Sequence, residues 1–181
     1  MKALSLTQPW ADAILEQGKR IENREKWTAC KYRGPVLLHA AKGLGTRSEV
    51  HERYVQIERI IGAAINTQRE DLPPGGWLGG RFTHCKDSRG WYYDVSPRLH
   101  RGGIVGRAEI VDTLDPRDVG ATCCVGDAFD AWIDRGGDPA QRRWWFGGFA
   151  LILANVEPLP FRPCKGALGL FNLPDDFARA A

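Results

Sequence analysis

The sequence predicts an α+β domain in which a curled sheet or small barrel carries flanking helices. Three observations lead there. Stretches of strand character outnumber helical ones, the helices fall early in the chain, and no apolar run reaches the length of a membrane span. At 181 residues the chain is long enough to bury a core as one domain without staples.

Residues 3–6 read as a short buried strand. Pro9, preceded by Thr7 or Gln8, suits the first turn of a helix. Trp10, Ala13, Ile14 and Gln17 follow at helical spacing, and Gly18 is placed to stop the helix. Ile21 to Arg24 is extended and leads into a basic, aromatic connection through Lys26, Trp27, Lys31, Tyr32 and Arg33. Gly34-Pro35 opens a strand over 36–40, whose unbroken apolar run implies burial on both faces.

A second helix is expected over 48–61, because Val50, Tyr54, Ile57 and Ile61 recur on one helical face. From Asp71 to Gly103 the chain reads as irregular, with Pro73-Pro74-Gly75-Gly76 and Gly79-Gly80, a length that goes with function or with poor order. A strand follows over 104–111, then a turn at Asp115-Pro116 and a short helix over 127–133 stopped by Gly136-Gly137. The strand over 149–156 is expected to end at Pro158-Leu159-Pro160, and 168–173 is the last strand.

Lysine and arginine number 25 against 22 aspartates and glutamates, a net charge of +3. So mild an excess permits an anionic partner without demanding one. The five cysteines (Cys30, Cys85, Cys123, Cys124 and Cys164) are odd in number and scattered, which suits reduced thiols better than a disulfide framework. The N-terminus lacks a signal-peptide core, so the expected location is cytoplasmic, with no membrane partner.

Chemistry concentrates where the first helix should give way to a strand. Lys19, Glu22 and Arg24 fall within six residues there, and Trp10 lies one helix upstream. Lysine and arginine can donate to phosphates or base carbonyls, and glutamate can accept from exocyclic amines. A salt-bridge network at a strand edge would use the same three residues.

Four segments in order resemble an ASCH domain, a member of the PUA-like superfamily of small β-barrels associated with RNA. They are Leu4 to Trp10; Lys19-Arg20-Ile21-Glu22-Asn23-Arg24; Tyr32 to Lys42; and Gly103 to Asp112. The stretch from Trp145 to Leu173 is similar to the barrel-closing strands of some members. The segment 77–102 departs from the family pattern and reads as a loop insertion that the resemblance does not explain. The resemblance implies one ASCH domain over 1–181 and a cleft binding RNA or a modified nucleotide. DNA is the lesser candidate. It implies no cofactor. Gln17 stands where the family usually has glycine, with Gly18 one position nearer the lysine, so the helix exit is expected to differ.

Some relatives are amidohydrolases acting on acetylated cytidine, with a threonine nucleophile at the position of Glu22. Glutamate is a poor substitute in that role, which weighs against it here. The remaining enzymatic alternative is a metal-independent ribonuclease, with Lys19 stabilising developing phosphorane charge and Glu22 moving protons. A third alternative is a protein-interaction module that uses exposed aromatics.

Trp10 is either a stacking platform, in a class of contact worth about 1–3 kcal/mol per base, or a core residue. Trp27 is the better candidate for exposure. Of Trp144 and Trp145, which follow Arg142 and Arg143, one is expected in the core and the other facing a ligand. Arg143 and Trp144 join Trp10, Lys19, Glu22, Arg24, Trp27, Lys42 and Lys165 as candidate ligand-binding residues. Lys42 and Lys165 are expected to approach the cleft of Lys19, with Gly166 permitting close backbone approach. The segment 77–102 holds Arg81, Lys86, Arg89, Arg98 and Arg101 against Asp87 and Asp94, with Trp91, Tyr92 and Tyr93 among them. It is either a source of phosphate contacts or a decorated surface hairpin. His84-Cys85 and Cys123-Cys124 lack metal-ligand spacing, so no metal site is expected, and His39 reads as a buried, hydrogen-bonded strand residue.

Overall fold

A computed structural model describes residues 1–25, 31–65, 82–88, 90–95, 99–117, 126–174 and 177. Strand β1 (Lys2–Leu6) is followed by helix α1 (Trp10–Glu16). Pro9 caps that helix through its backbone alone, and the side chain that serves its first turn comes from Gln8. The buried Gln8 amide accepts from the Asp12 N–H at 3.3 Å and donates to the Asp12 carboxylate at 3.0 Å and to the His100 carbonyl at 3.1 Å. A free helix N–H is thereby satisfied without water. At the other end Gly18 takes φ +69°, the left-handed conformation that ends a helix, and turns the chain into β2 (Ile21–Arg24).

Strand β3 (Gly34–Ala40) is buried over its last five residues. Val36, Leu38 and Ala40 face a core with Leu4, Leu6, Ala11 and Ile14, whereas Leu37 faces a second cluster with Ala3, Ile104 and Leu173. Helix α2 (Arg47–Ile65) extends beyond the expected bounds at both ends. It buries Val50, Tyr54 and Ile57 as its periodicity requires.

Among the described residues, strands β4 (Phe82–Asp87) and β5 (Gly90–Val95) pair only with each other. A hairpin therefore stands within the stretch read as irregular. Alternation was hard to see there, because Trp91-Tyr92-Tyr93 is a solid aromatic run. The side chains of this hairpin, and Arg81, Arg89 and Arg98, lie outside the described residues.

Strand β6 (Gly103–Leu114), helix α3 (Ala128–Ile133), a 3₁₀ turn (Pro139–Trp144), β7 (Phe149–Pro163) and β8 (Leu170–Asn172) complete the chain. Asp127 caps α3 through the N–H groups of Phe129 and Asp130 in a capping box. Six strands form one mixed sheet in the order β2-β7-β6-β3-β1-β8, with β1 and β3 its parallel pair. The sheet curls into a half-barrel flanked by helices, the α+β, PUA-like class expected from the sequence. Curling brings the first strand of the order near the fifth, where Arg24 Nη2 on β2 donates to the Ser5 carbonyl on β1 at 2.9 Å. No helix among the described residues is long and apolar enough to cross a membrane.

The prolines of β7 do not end it, contrary to expectation. β2 covers β7 only from Phe149 to Ile152, so among the described residues the later part has β6 on one side and no strand on the other. On such an edge a proline forfeits no ladder bond. Asn155, at φ 49°, lies where the register against β6 shifts, and the strand resumes beyond it.

Gly106 sits where β6 passes under α1. A Cβ there would come 2.5 Å from Leu15 Cδ2 and 2.7 Å from the Glu157 carbonyl oxygen, and the latter is backbone that cannot swing away. Gly106→Ala should therefore lower unfolding stability by about 1–3 kcal/mol in urea denaturation. Wild-type stability in that variant would show that the strands separate freely.

Candidate functional site

The turn from α1 into β2 sets the candidate site. Gln141 of the 3₁₀ turn holds it from outside, accepting from the Arg20 N–H at 2.8 Å and donating to the Gly18 carbonyl at 3.1 Å. Arg20 Nη1 adds bonds to the carbonyls of Ile14 and Lys19, at 2.8 and 3.1 Å. Pinned on both sides, Lys19 turns its side chain inward and is only 1% exposed.

A cation out of water needs partners. The Lys19 ammonium donates to the Ile21 carbonyl and to Glu22 Oε2, the latter at 3.1 Å, and lies 5.5 Å from the centre of the Trp10 ring. The other carboxylate oxygen of Glu22 is 3.5 Å from Arg24 Nη2. One carboxylate thus serves two cations, one oxygen each. Burial lowers the proton affinity of the Lys19 amine below that of an ordinary lysine. The charge and hydrogen bond of Glu22 oppose that shift, and Arg24 reinforces it.

Trp10, Lys19 and Glu22 line a hollow of about 210 Å³ together with Asn23, Arg53, Gln56 and Phe146. Arg24 is tied to Glu22 but points on to Ser5. The Trp10 and Phe146 rings lie 5.4 Å apart at 53°, forming an aromatic corner rather than a sandwich. Phe146 is 42% exposed, so one side of that corner is open. Asn23 holds Phe146 in place, donating to the Trp144 carbonyl at 2.8 Å and accepting from the Phe146 N–H at 3.0 Å.

Other sequence-based expectations fall elsewhere. Trp144 is fully buried among Ile21, Trp132 and Ile152, so it is a core residue and not a ligand platform. Its neighbour Trp145 is not the ligand-facing partner either. Its ring stacks 5.9 Å from Phe129, and its Nε1 donates to the Gly148 carbonyl at 3.1 Å. Arg143 is exposed, lies over the Trp144 ring at 5.8 Å and does not reach the hollow. Lys42 and Lys165 line a different, larger hollow, which corrects the single cleft expected for all three lysines. Trp27 lies outside the described residues.

Three contributors went unnoticed in the sequence. Arg53 and Gln56 share a face of α2, and their i, i+3 spacing is a signal that could have found them. Phe146 was hidden behind two tryptophans, although Gly147-Gly148 after it marks a turn that can present an aromatic.

Two comparisons bear on what this arrangement belongs to. The sequence profile of the ASCH domain matches residues 4–156, most of the chain, and that family is associated with nucleic-acid binding. Among curated proteins, none matches.

The ion pairing makes two predictions. Glu22→Gln leaves the buried Lys19 cation without its counter-charge and should cost about 3–5 kcal/mol in urea denaturation. Lys19→Met should cost less, because Glu22 keeps Arg24; the reverse order would contradict this account. The pH dependence follows from the lowered Lys19 proton affinity. Folded Lys19 gives up its proton at a lower pH than unfolded Lys19, so between the two values the unfolded chain binds more protons and stability rises with pH. The stability of wild type relative to Lys19→Met should therefore increase as pH climbs towards the ordinary lysine range, and a flat difference would count against it.

Proposed function

The chain belongs to the ASCH domain family, and from that premise we propose that it binds RNA or a modified nucleotide by capturing one base in the hollow of Trp10, Lys19, Glu22 and Phe146. The observation that carries the reading is the junction of an open aromatic face with a buried ion array. Phe146 offers a flat surface for stacking. The Glu22 carboxylate, 9% exposed at its side chain, is a fixed acceptor for an exocyclic amine. Gln56 can both donate to and accept from a base edge, and Arg53 brings positive charge to the rim.

Size narrows the ligand. Pockets that enclose drug-sized molecules span about 300–1,000 Å³. A hollow of about 210 Å³ falls below that range and suits a single base, with its sugar and phosphate left outside. Both oxygens of Glu22 and the amine of Lys19 are already engaged, which favours recognition over proton transfer.

Fluorescence anisotropy with a short single-stranded oligoribonucleotide tests the reading. Phe146→Ala removes the stacking surface at an exposed position and should weaken binding by about 5- to 150-fold, the equivalent of about 1–3 kcal/mol. Unchanged affinity in a folded variant would refute base capture at this place. A deoxyribonucleotide strand of the same sequence tells RNA from DNA.

A further inference from the structure

The larger hollow, about 730 Å³, is separately lined and is not used by the reading above. Its wall includes Ser5, His39, Lys42, Cys164, Lys165 and Gly166, and no aspartate or glutamate lines it among the described residues. Two further cations reach its backbone. Arg24 donates to the Ser5 carbonyl at 2.9 Å, and Arg101 donates to the Lys42 carbonyl at 3.4 Å. Arg24 brings its partner Glu22 with it, so the unpaired positive charge of the lining itself comes from Lys42 and Lys165, with Arg101 beside them. In a chain whose net charge is only +3, two lysines at a concavity lined by no carboxylate among the described residues favour an anion there. Burial pushes the Cys164 thiol up, so sulfur adds no negative charge to the wall.

The interior is built as well as charged. His39 is 2% exposed, and its Nε2 lies 3.3 Å from the Cys164 carbonyl. When Nε2 carries the proton for that bond, Nδ1 is left as an acceptor, and Nδ1 is a buried atom without a protein partner. Gly166 presses its backbone onto the same imidazole, where any Cβ would overlap the ring. Side-chain volume is therefore excluded beside the imidazole, which leaves this part of the hollow open.

We propose that this hollow binds the phosphate ester of a sugar, with Lys42 and Lys165 taking the phosphate and the His39 ring forming part of the wall beside the sugar. A volume of about 730 Å³ lies within the range of pockets that enclose a whole small molecule, unlike the smaller hollow. A free nucleotide and the backbone of an RNA strand share this chemistry.

Ribose 5-phosphate is the probe, followed by NMR shifts of the His39 ring, with ribose as the control. Saturable shifts with the phosphate ester, weakened by salt, are expected. The exposed double variant Lys42→Ala/Lys165→Ala should bind at least tenfold more weakly. Absence of shifts, equal shifts with ribose, or unchanged binding by the double variant would overturn the proposal. Gly166→Ala supplies a second reading that leaves charge untouched, and loss of binding in a folded Gly166→Ala protein supports the site. Displacement by a nucleoside 5′-monophosphate supports a free-nucleotide source, and displacement by an oligoribonucleotide without terminal phosphates supports the backbone. Ribose 5-phosphate has no base, so failure here is distinct from failure of base capture in the smaller hollow.

Discussion

Keeping the Lys19 ammonium out of water is the constraint on which the rest of this structure depends. Removing such an ion from solvent costs several kcal/mol even after relaxation, so its surroundings must be assembled to match. Helix α1 must stop at Gly18, the chain must turn so that the Ile21 carbonyl faces back, and Glu22 must lie on the inward side of β2. Glu22 in turn requires a second cation for its other oxygen, which Arg24 supplies. Gln141, more than a hundred residues away in sequence, holds the turn that makes this possible. A short charged motif is thus tied to the fold at both ends of the chain.

Arg24 carries that local arrangement into the shape of the sheet. Its guanidinium joins Glu22 on β2 to the Ser5 carbonyl on β1, two strands far apart in the order of the sheet. The bond spans the curl and stands between the two hollows, one lined by Glu22 and the other by Ser5. The smaller is aromatic and presents a carboxylate; the larger is cationic at its rim and free of carboxylates among the described residues. A base and a sugar phosphate differ in the same two respects. That contrast is why the two hollows are assigned different parts of nucleotide chemistry.

Much of the fold was legible because period and punctuation agreed. The α1 stop at Gly18, the doubly buried β3 and the α2 face of Val50, Tyr54 and Ile57 all follow from patterns that packing did not override. Where packing decided, the sequence misled. The prolines of β7 look like terminators until the free edge of that strand is known. Trp144 looks available beside two arginines, yet the space beneath α3 needs a large ring and takes it. At the site, Lys19, Glu22 and Trp10 were legible as a cluster because they lie close in sequence. Arg53, Gln56 and Phe146 come from remote elements, and only the tertiary fold brings them to the same hollow. Lys42 and Lys165 line one hollow and Lys19 another, which the sequence does not show, since a strand period does not reveal which end of a curled sheet a loop will reach.

The central claim is that an aromatic face and a fixed ion array together hold a base. A crystal structure of the protein with a short oligoribonucleotide tests this most directly. The account predicts one base against the Phe146 ring with its polar edge turned towards Glu22. A strand bound elsewhere, with water alone between Phe146 and Glu22, would contradict it.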